Sequence, residues 1–260
     1  MNQVMTTLYY SVPKPMSIVE HIKAALLPRA THEDIADITV GNIYLAVMLV
    51  SGTLGVAHRE GGHGAGGTLP SSGSLDNTEN LSAILSRLGN ADPSASALGC
   101  AAAAALAALD SGDLPEGDVL DRLAVRPKDR VVMVGGFPIE RDIRERGGQL
   151  SVYDRARQIG DMDEMPAALS RADLVVITAT AIINNTIDDI LEHIQSARET
   201  VILGPSTILV PDAFRGTPVT GLFGIIPRDP AAIQKIIAEG GGTRDFIRHA
   251  KKVEATVPEA

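Results

Sequence analysis

The chain has 260 residues, 45% of them hydrophobic but only 3% aromatic and none Trp, so its core must be built from Ala, Val, Ile and Leu. That palette suits helices packed on buried parallel strands. A net charge of -9, spread along the chain and not collected into an acidic tail, leaves no basic patch to attract nucleic acid or an anionic membrane and argues against both as partners.

The N-terminal "MNQVMTTLYYSVPKPM" lacks the basic start and unbroken apolar segment of a signal peptide. Downstream, "SIVEHIKAALL" sets Ile18, Val19, Ile22, Ala25 and Leu26 on one side of a helix that Ser17 caps. "DITVGNIYLAVMLVSGTLGVAHR" reads as two strands joined at Ser51-Gly52-Thr53, a hairpin. From Arg59 to Gly73 the chain is too rich in Gly and Ser for regular structure and reads as a surface or binding loop. Asp76 followed by Glu79 resembles a capping box for a helix over "NTENLSAILSRL". A further helix follows Asp92-Pro93, from about Ser94 to Leu109, and carries the lone Cys100 in an apolar setting that favours a buried side chain over a nucleophile. One cysteine makes no internal disulfide, which fits a reducing, cytoplasmic setting. No apolar stretch reaches the about 20 residues of a membrane span.

The polar, turn-rich stretch "DSGDLPEGDVLDRLAVRPKD" marks a boundary: residues 1–125 read as an α+β domain and residues 126–260 as a Rossmann-like domain. In the second part "RVVMVGG", "QLSVYDR", "ADLVVITAT", "TVILGPS" and "VTGLFGI" are five strand signals alternating with helical segments, which argues for βαβ units and a parallel sheet. A last helix begins at Asp229-Pro230. The fold class is therefore α/β.

Ligands of an open parallel sheet bind outside the C-terminal strand ends, and four segments end there. Gly135 and Gly136 follow the first strand, where their N–H groups are expected to approach a ligand, but the third glycine of the dinucleotide fingerprint is missing and NAD is disfavoured. Asp154 follows the second strand at a spacing that suits ribose hydroxyls or an ordinary strand-end turn. Thr178 and Thr180 end the third, before Asn184, Asn185 and Thr186, read as polar ligand contacts or as helix caps. Gly204 and Pro205 turn the chain after the fourth, so that Ser206 and Thr207 face the same crevice as an anion or carboxylate site. No hydrolytic triad assembles. His58, Glu60 and His63 in "AHREGGHG" read either as a ligand set for a divalent transition metal or as part of a mobile polar loop, and the spacing matches no standard zinc motif.

The motifs "VGGFPI" (134–139, with Phe137 and Pro138), "VYDR" (152–155), "ADLVVITATAIINNTIDDIL" (172–191), "LGPSTILVPDAF" (203–214) and "GLFGIIPRDPAAIQKIIAEGGG" (221–242) together resemble the family described as "putative heavy-metal chelation". The first half resembles its companion domain more loosely, through "TLGVAH" and "ALGCAAAAALAAL". The resemblance implies an enolase-N-terminal-like domain joined to a Rossmann-like one, with a metal or a metal-chelating small molecule between them. This chain has Ala104 where the family usually carries Asn, so its ligand is expected to differ if that Asn lines the site.

Three functions follow. One is the handling of a metal ion or metal complex in the interdomain cleft. Another is an enzyme using an adenosine-type cofactor, with S-adenosylmethionine favoured over NAD, on a carboxylate-bearing substrate. The last is a structural or regulatory module that keeps the scaffold and binds nothing. A homo-oligomer is compatible with all three.

Overall fold

The computed structural model describes residues 16–59, 73–74 and 79–259. Helix α1 (Ile18–Ala30) opens with a full capping box, in which Ser17 Oγ accepts from Glu20 N and the Glu20 carboxylate accepts from Ser17 N at 2.8 Å. Strands β1 (Ile35–Val40), β2 (Tyr44–Leu49) and β3 (Leu54–His58) follow as an antiparallel meander. The expected two-strand hairpin is thus three strands, because the chain also turns at Gly41-Asn42-Ile43, inside what reads as one apolar run. The short β4 (Gly73–Ser74) pairs with β1, giving the order β3-β2-β1-β4.

Helix α2 (Leu81–Ser86) is capped by Asn80, whose Oδ1 accepts from Ala83 N at 2.8 Å. This corrects the expected capping box: Asp76 lies outside the described residues, and Glu79 instead pairs with Arg87. Helix α3 (Pro93–Ala108) starts where expected, with Asp92 Oδ1 accepting from Ser94 N.

The second half runs α4 (Val119–Leu123), β5 (Arg130–Val134), α5 (Glu140–Glu145), β6 (Gln149–Tyr153), α6 (Met165–Leu169), β7 (Leu174–Thr178), α7 (Thr180–Ile183), α8 (Ile187–Glu192), β8 (Glu199–Leu203), a 3-10 turn (Pro211–Phe214), β9 (Gly221–Pro227), α9 (Pro230–Ala238), α10 (Thr243–Phe246) and β10 (Ala250–Thr256). These build a six-stranded sheet of order β10-β9-β8-β7-β5-β6, parallel except for β10. All five expected strands are present. The sixth, β10, was not expected: Lys251 and Lys252 hide its apolar alternation, which becomes visible only over Val253, Ala255 and Val257, all buried.

One hydrophobic cluster runs through both halves, from Ile22, Leu45 and Leu98 to Val175, Ile182 and Leu222. The alanine-rich α3 is almost wholly buried. Small side chains let it lie close to β3, where Gly55 meets the α3 backbone at Ala101 and Ala105. The opposite face of the first sheet, through Tyr44, Ala46, Leu54 and Val56, packs on Ile233 and Ile237 of α9 and on Phe246. Gln234 Nε2 also donates to Asp37 Oδ2 at 2.8 Å. Both faces of the first sheet are therefore covered, which explains why β2 reads as continuous apolar sequence and not as an alternation.

At the end of the parallel sheet where β5, β7 and β8 begin, two arginine–aspartate pairs tie the strand starts together. Arg130 Nε and Nη2 donate to Asp173 at 3.0 and 2.9 Å, and Arg198 donates to both Asp129 oxygens. Arg130 holds the Asp173 carboxyl down to about 2, from an ordinary 3.8, and Arg198 lowers that of Asp129. Both folded-state values lie below the unfolded ones, so both pairs contribute stability that is lost on acidification; for Asp173 it is complete above about pH 4 and is lost as the pH falls through the window down to about 2. Urea melts should show the midpoint dropping across that window, with a shallower drop in Asp173→Asn; equal slopes would exclude this pair as a source of acid sensitivity.

Candidate functional site

The sheet sequence β8-β7-β5-β6 places the topological switch point between β5 and β7, because the chain leaves β5 for β6 on one side and returns to β7 on the other. A cleft of about 1670 Å3 opens at these strand ends. Its walls come from both halves of the chain: Ile43, Tyr44, His58 and Asn90 from the first, and the loops after β5, β6, β7 and β8 from the second.

Gly135 has φ +97, and a Cβ there would lie 2.8 Å from Thr178 Cβ, so β7 can pass close only because the residue is glycine. Its N–H donates to Tyr153 O at 2.8 Å, and that of Gly136 donates to Asp154 Oδ2 at 3.0 Å. These N–H groups were expected to face a ligand. They are instead used to fasten β5 to the end of β6. Phe137 and Pro138 line the cleft beside them.

Asp154 acts as a brace: besides Gly136 N, its other oxygen accepts from Arg157 N at 3.0 Å, and Arg157 Nε stands 3.6 Å away. Thr178 and Thr180 share a hydroxyl contact of 3.1 Å on the cleft floor. Asn184 and Asn185 also line it, but the expected capping role is corrected: neither α7 nor α8 has a side-chain cap, and Thr186 Oγ1 donates back to Ala181 O. Asn185, at φ 55, donates through Nδ2 to Gly89 O at 3.0 Å. Asn184 Oδ1 is buried without a hydrogen-bond partner among the described residues.

Gly204, at φ +138, Pro205 and Ser206 border the cleft. Ser206 Oγ accepts from His58 N at 2.8 Å, and Ser206 O accepts from Cys100 Sγ at 3.4 Å, so the turn after β8 holds the end of β3 and the middle of α3. Thr207 is not on the cleft wall, contrary to expectation: its hydroxyl donates to Phe223 O at 2.9 Å within the fold. Burial pushes the Cys100 thiol up to about 12, which keeps it protonated and inert as a nucleophile.

His58 reaches the cleft from the end of β3, its ring edge-to-face with Tyr44 at 5.4 Å. Tyr44 is in turn fixed by Phe246 at 5.1 Å and by a 2.8 Å bond between its hydroxyl and that of Thr243. Glu60 and His63, the other expected ligands, lie outside the described residues. Among the described residues no cluster of three metal-ligating side chains occurs. Ala104 is not on the cleft wall. Sequence reasoning missed Tyr44, Asp189, His193 and Arg244, all of which line the cleft. Asp189 and His193 carried a signal, the i,i+4 spacing that puts them on one face of a helix.

Residues 118–256 match the family model DUF364, described as "Putative heavy-metal chelation", and residues 23–107 match a second model, DUF4213, with the same description. A solved structure of a DUF364 protein of unknown function from Pyrococcus horikoshii is 22% identical, with a TM-score of 0.78 over 93% of this chain and 100% of its own. Another DUF364 protein of unknown function, from Desulfitobacterium hafniense, is 18% identical, with a TM-score of 0.76 over 92% of this chain and 97% of its own. At these identities the likeness concerns the fold. No curated protein matches the chain. Among the described residues, no helix is long and apolar enough to cross a membrane.

Proposed function

The chain belongs to the DUF364 family, described as "Putative heavy-metal chelation", and from that membership we propose that the cleft binds a metal ion carried by a small chelating molecule. The observation that carries this reading is the placement of His58. A β-strand of the first half delivers an imidazole, oriented by Tyr44, to the wall of a cleft whose floor is the switch point of the parallel sheet. Neutral imidazole suits borderline transition metals. The cleft volume suits an organic ligand or complex and is far larger than a bare ion needs. His58 would supply a metal ligand, with Glu60 and His63 following it in the chain; Thr178, Thr180 and Asn184 would contact the organic part.

Equilibrium dialysis against zinc citrate at neutral pH tests this. One complex should be retained per chain and released on acidification, because metal ligation requires the unprotonated imidazole. Absence of retention at micromolar concentrations would overturn the proposal.

A second reading, an enzyme that uses an adenosine-type cofactor such as S-adenosylmethionine, is favoured by one observation: the switch point is where doubly wound sheets seat nucleotides. Against a phosphate-bearing nucleotide, the Gly135 and Gly136 N–H groups already have partners. Asp154 is likewise engaged by Gly136 and Arg157, so a ribose would have to share its carboxylate.

A further inference from the structure

The chain carries 23 Lys and Arg against 32 Asp and Glu, yet its cleft does not share that acidic balance. Among the described residues four cations line the cleft: Arg155 and Arg157 from the loop after β6, Arg244 from α10 and Lys252 from β10. Three carboxylates accompany them, Asp118, Asp154 and Asp189, and two of these are engaged within the fold. Asp118 Oδ1 accepts from Leu120 N at 2.8 Å to cap α4, and Asp154 accepts from Gly136 N and Arg157 N.

The loop after β6 is built, not incidental. A bridge between Asp154 and Ile159 closes it, with Asp154 N donating to Ile159 O and Ile159 N donating back, both at 2.9 Å. The Asp154 carboxylate then ties the loop to Gly136, and the Arg157 guanidinium folds back over Gly136 so closely that a Cβ there would overlap Nη1. A glycine at 136 thus leaves the space in which Arg157 stands at the cleft. The side chains of Arg155 and Arg244 are exposed, line the cleft, and form no hydrogen bond or ion pair with any described residue, the Arg155 carbonyl alone accepting from Gln158 N. Asn184 Oδ1 adds a buried polar atom, unpartnered among the described residues, on the same cleft's wall.

Planar guanidinium groups recognise carboxylates through paired, charge-assisted hydrogen bonds, and a partly walled cleft raises the strength of such contacts over that in open water. We infer that the cleft selects an anionic, carboxylate-bearing ligand, bound by Arg155 and Arg157 of the braced loop after β6. Resting on the metal-handling reading, this assigns the chelator a class: a polycarboxylate whose metal complex keeps net negative charge. Arg244 faces the same space and adds to the attraction. Asp154 is then a positioning residue that sets the Arg157 guanidinium.

The test is calorimetric titration of the full-length chain with three probes, citrate, zinc citrate and zinc chloride, at low and at moderate salt. It uses wild type, the double variant R155E/R157E, and the milder R157Q, with thermal melts to verify folding; both arginines are exposed, so the variants should fold. Wild type should bind zinc citrate with an affinity that weakens as salt rises. R155E/R157E should lower that affinity at least 10-fold and R157Q by a smaller factor, while binding of zinc chloride stays unchanged or tightens. Citrate bound as tightly as zinc citrate, and lost in the double variant, would support the anionic class while overturning the metal reading. Zinc chloride bound as tightly as zinc citrate, with no loss in the variants, would overturn the anionic class and leave the metal reading standing. Absence of binding for all three probes would overturn both.

Discussion

Gly55→Ala should destabilise the protein by roughly 3 kcal/mol, and Gly55→Val by more, the upper end of what forced overpacking costs. A Cβ at residue 55 would fall inside the van der Waals envelope of Ala101 O and Ala105 N, and would come within 3.0 Å of Ala104 C. These are backbone atoms of α3, so no side-chain rotation relieves the overlap; the helix must lift from β3. Lifting it also disturbs the Cys100 to Ser206 contact and the Ser96 hydroxyl, which donates to Ile183 O at 2.7 Å. The damage therefore reaches the floor of the cleft. Gly112→Ala is the matched control, since its Cβ would meet nothing within 4 Å. Urea melts of the two variants decide the matter: equal midpoints would mean that α3 is not seated on β3 as described.

The largest functional effect should come from His58→Ala, with zinc citrate retention falling at least tenfold. The ring also packs edge-to-face on Tyr44, so its loss should cost about 1 kcal/mol of stability. His58→Gln separates these contributions: it keeps much of the volume but supplies no imidazole, and it should lose metal as His58→Ala does. The bond from His58 N to Ser206 Oγ uses the main chain and survives either change. Retention that persists in both variants would remove His58 from the ligand set.

Much of the parallel sheet was legible because strands buried on both faces leave unbroken apolar runs such as "DLVVIT" and "RVVMV". The same rule hid a turn in the first sheet, where "GNIYLAV" continues the apolar run across Gly41-Asn42-Ile43. The edge strand β10 escaped because the consecutive Lys251 and Lys252 resemble a helix end as much as a strand. Placement of α9 against the first sheet depends on Gly41, Gln234 and Ile237 meeting across almost two hundred residues, and no local period reports that.

The candidate site divides the same way. Glycines 135 and 204 were legible as strand-end glycines bordering the crevice, and both adopt positive φ. What their polar neighbours do was not. Ser206 and Thr207 read as open anion ligands, yet one receives the β3 N–H and the other donates to Phe223 O. Asp154 read as a ribose ligand or a strand-end turn residue, and it braces the loop that carries Arg157. A hydroxyl or carboxylate announces hydrogen bonding in the sequence, but tertiary packing decides whether its partner is the protein or a ligand.

Native mass spectrometry of freshly purified, untagged protein tests the central claim most directly. The account predicts an adduct whose mass corresponds to a metal with a small polycarboxylate, lost on acidification and absent from His58→Ala. An adduct of nucleoside mass, retained in that variant, would contradict it.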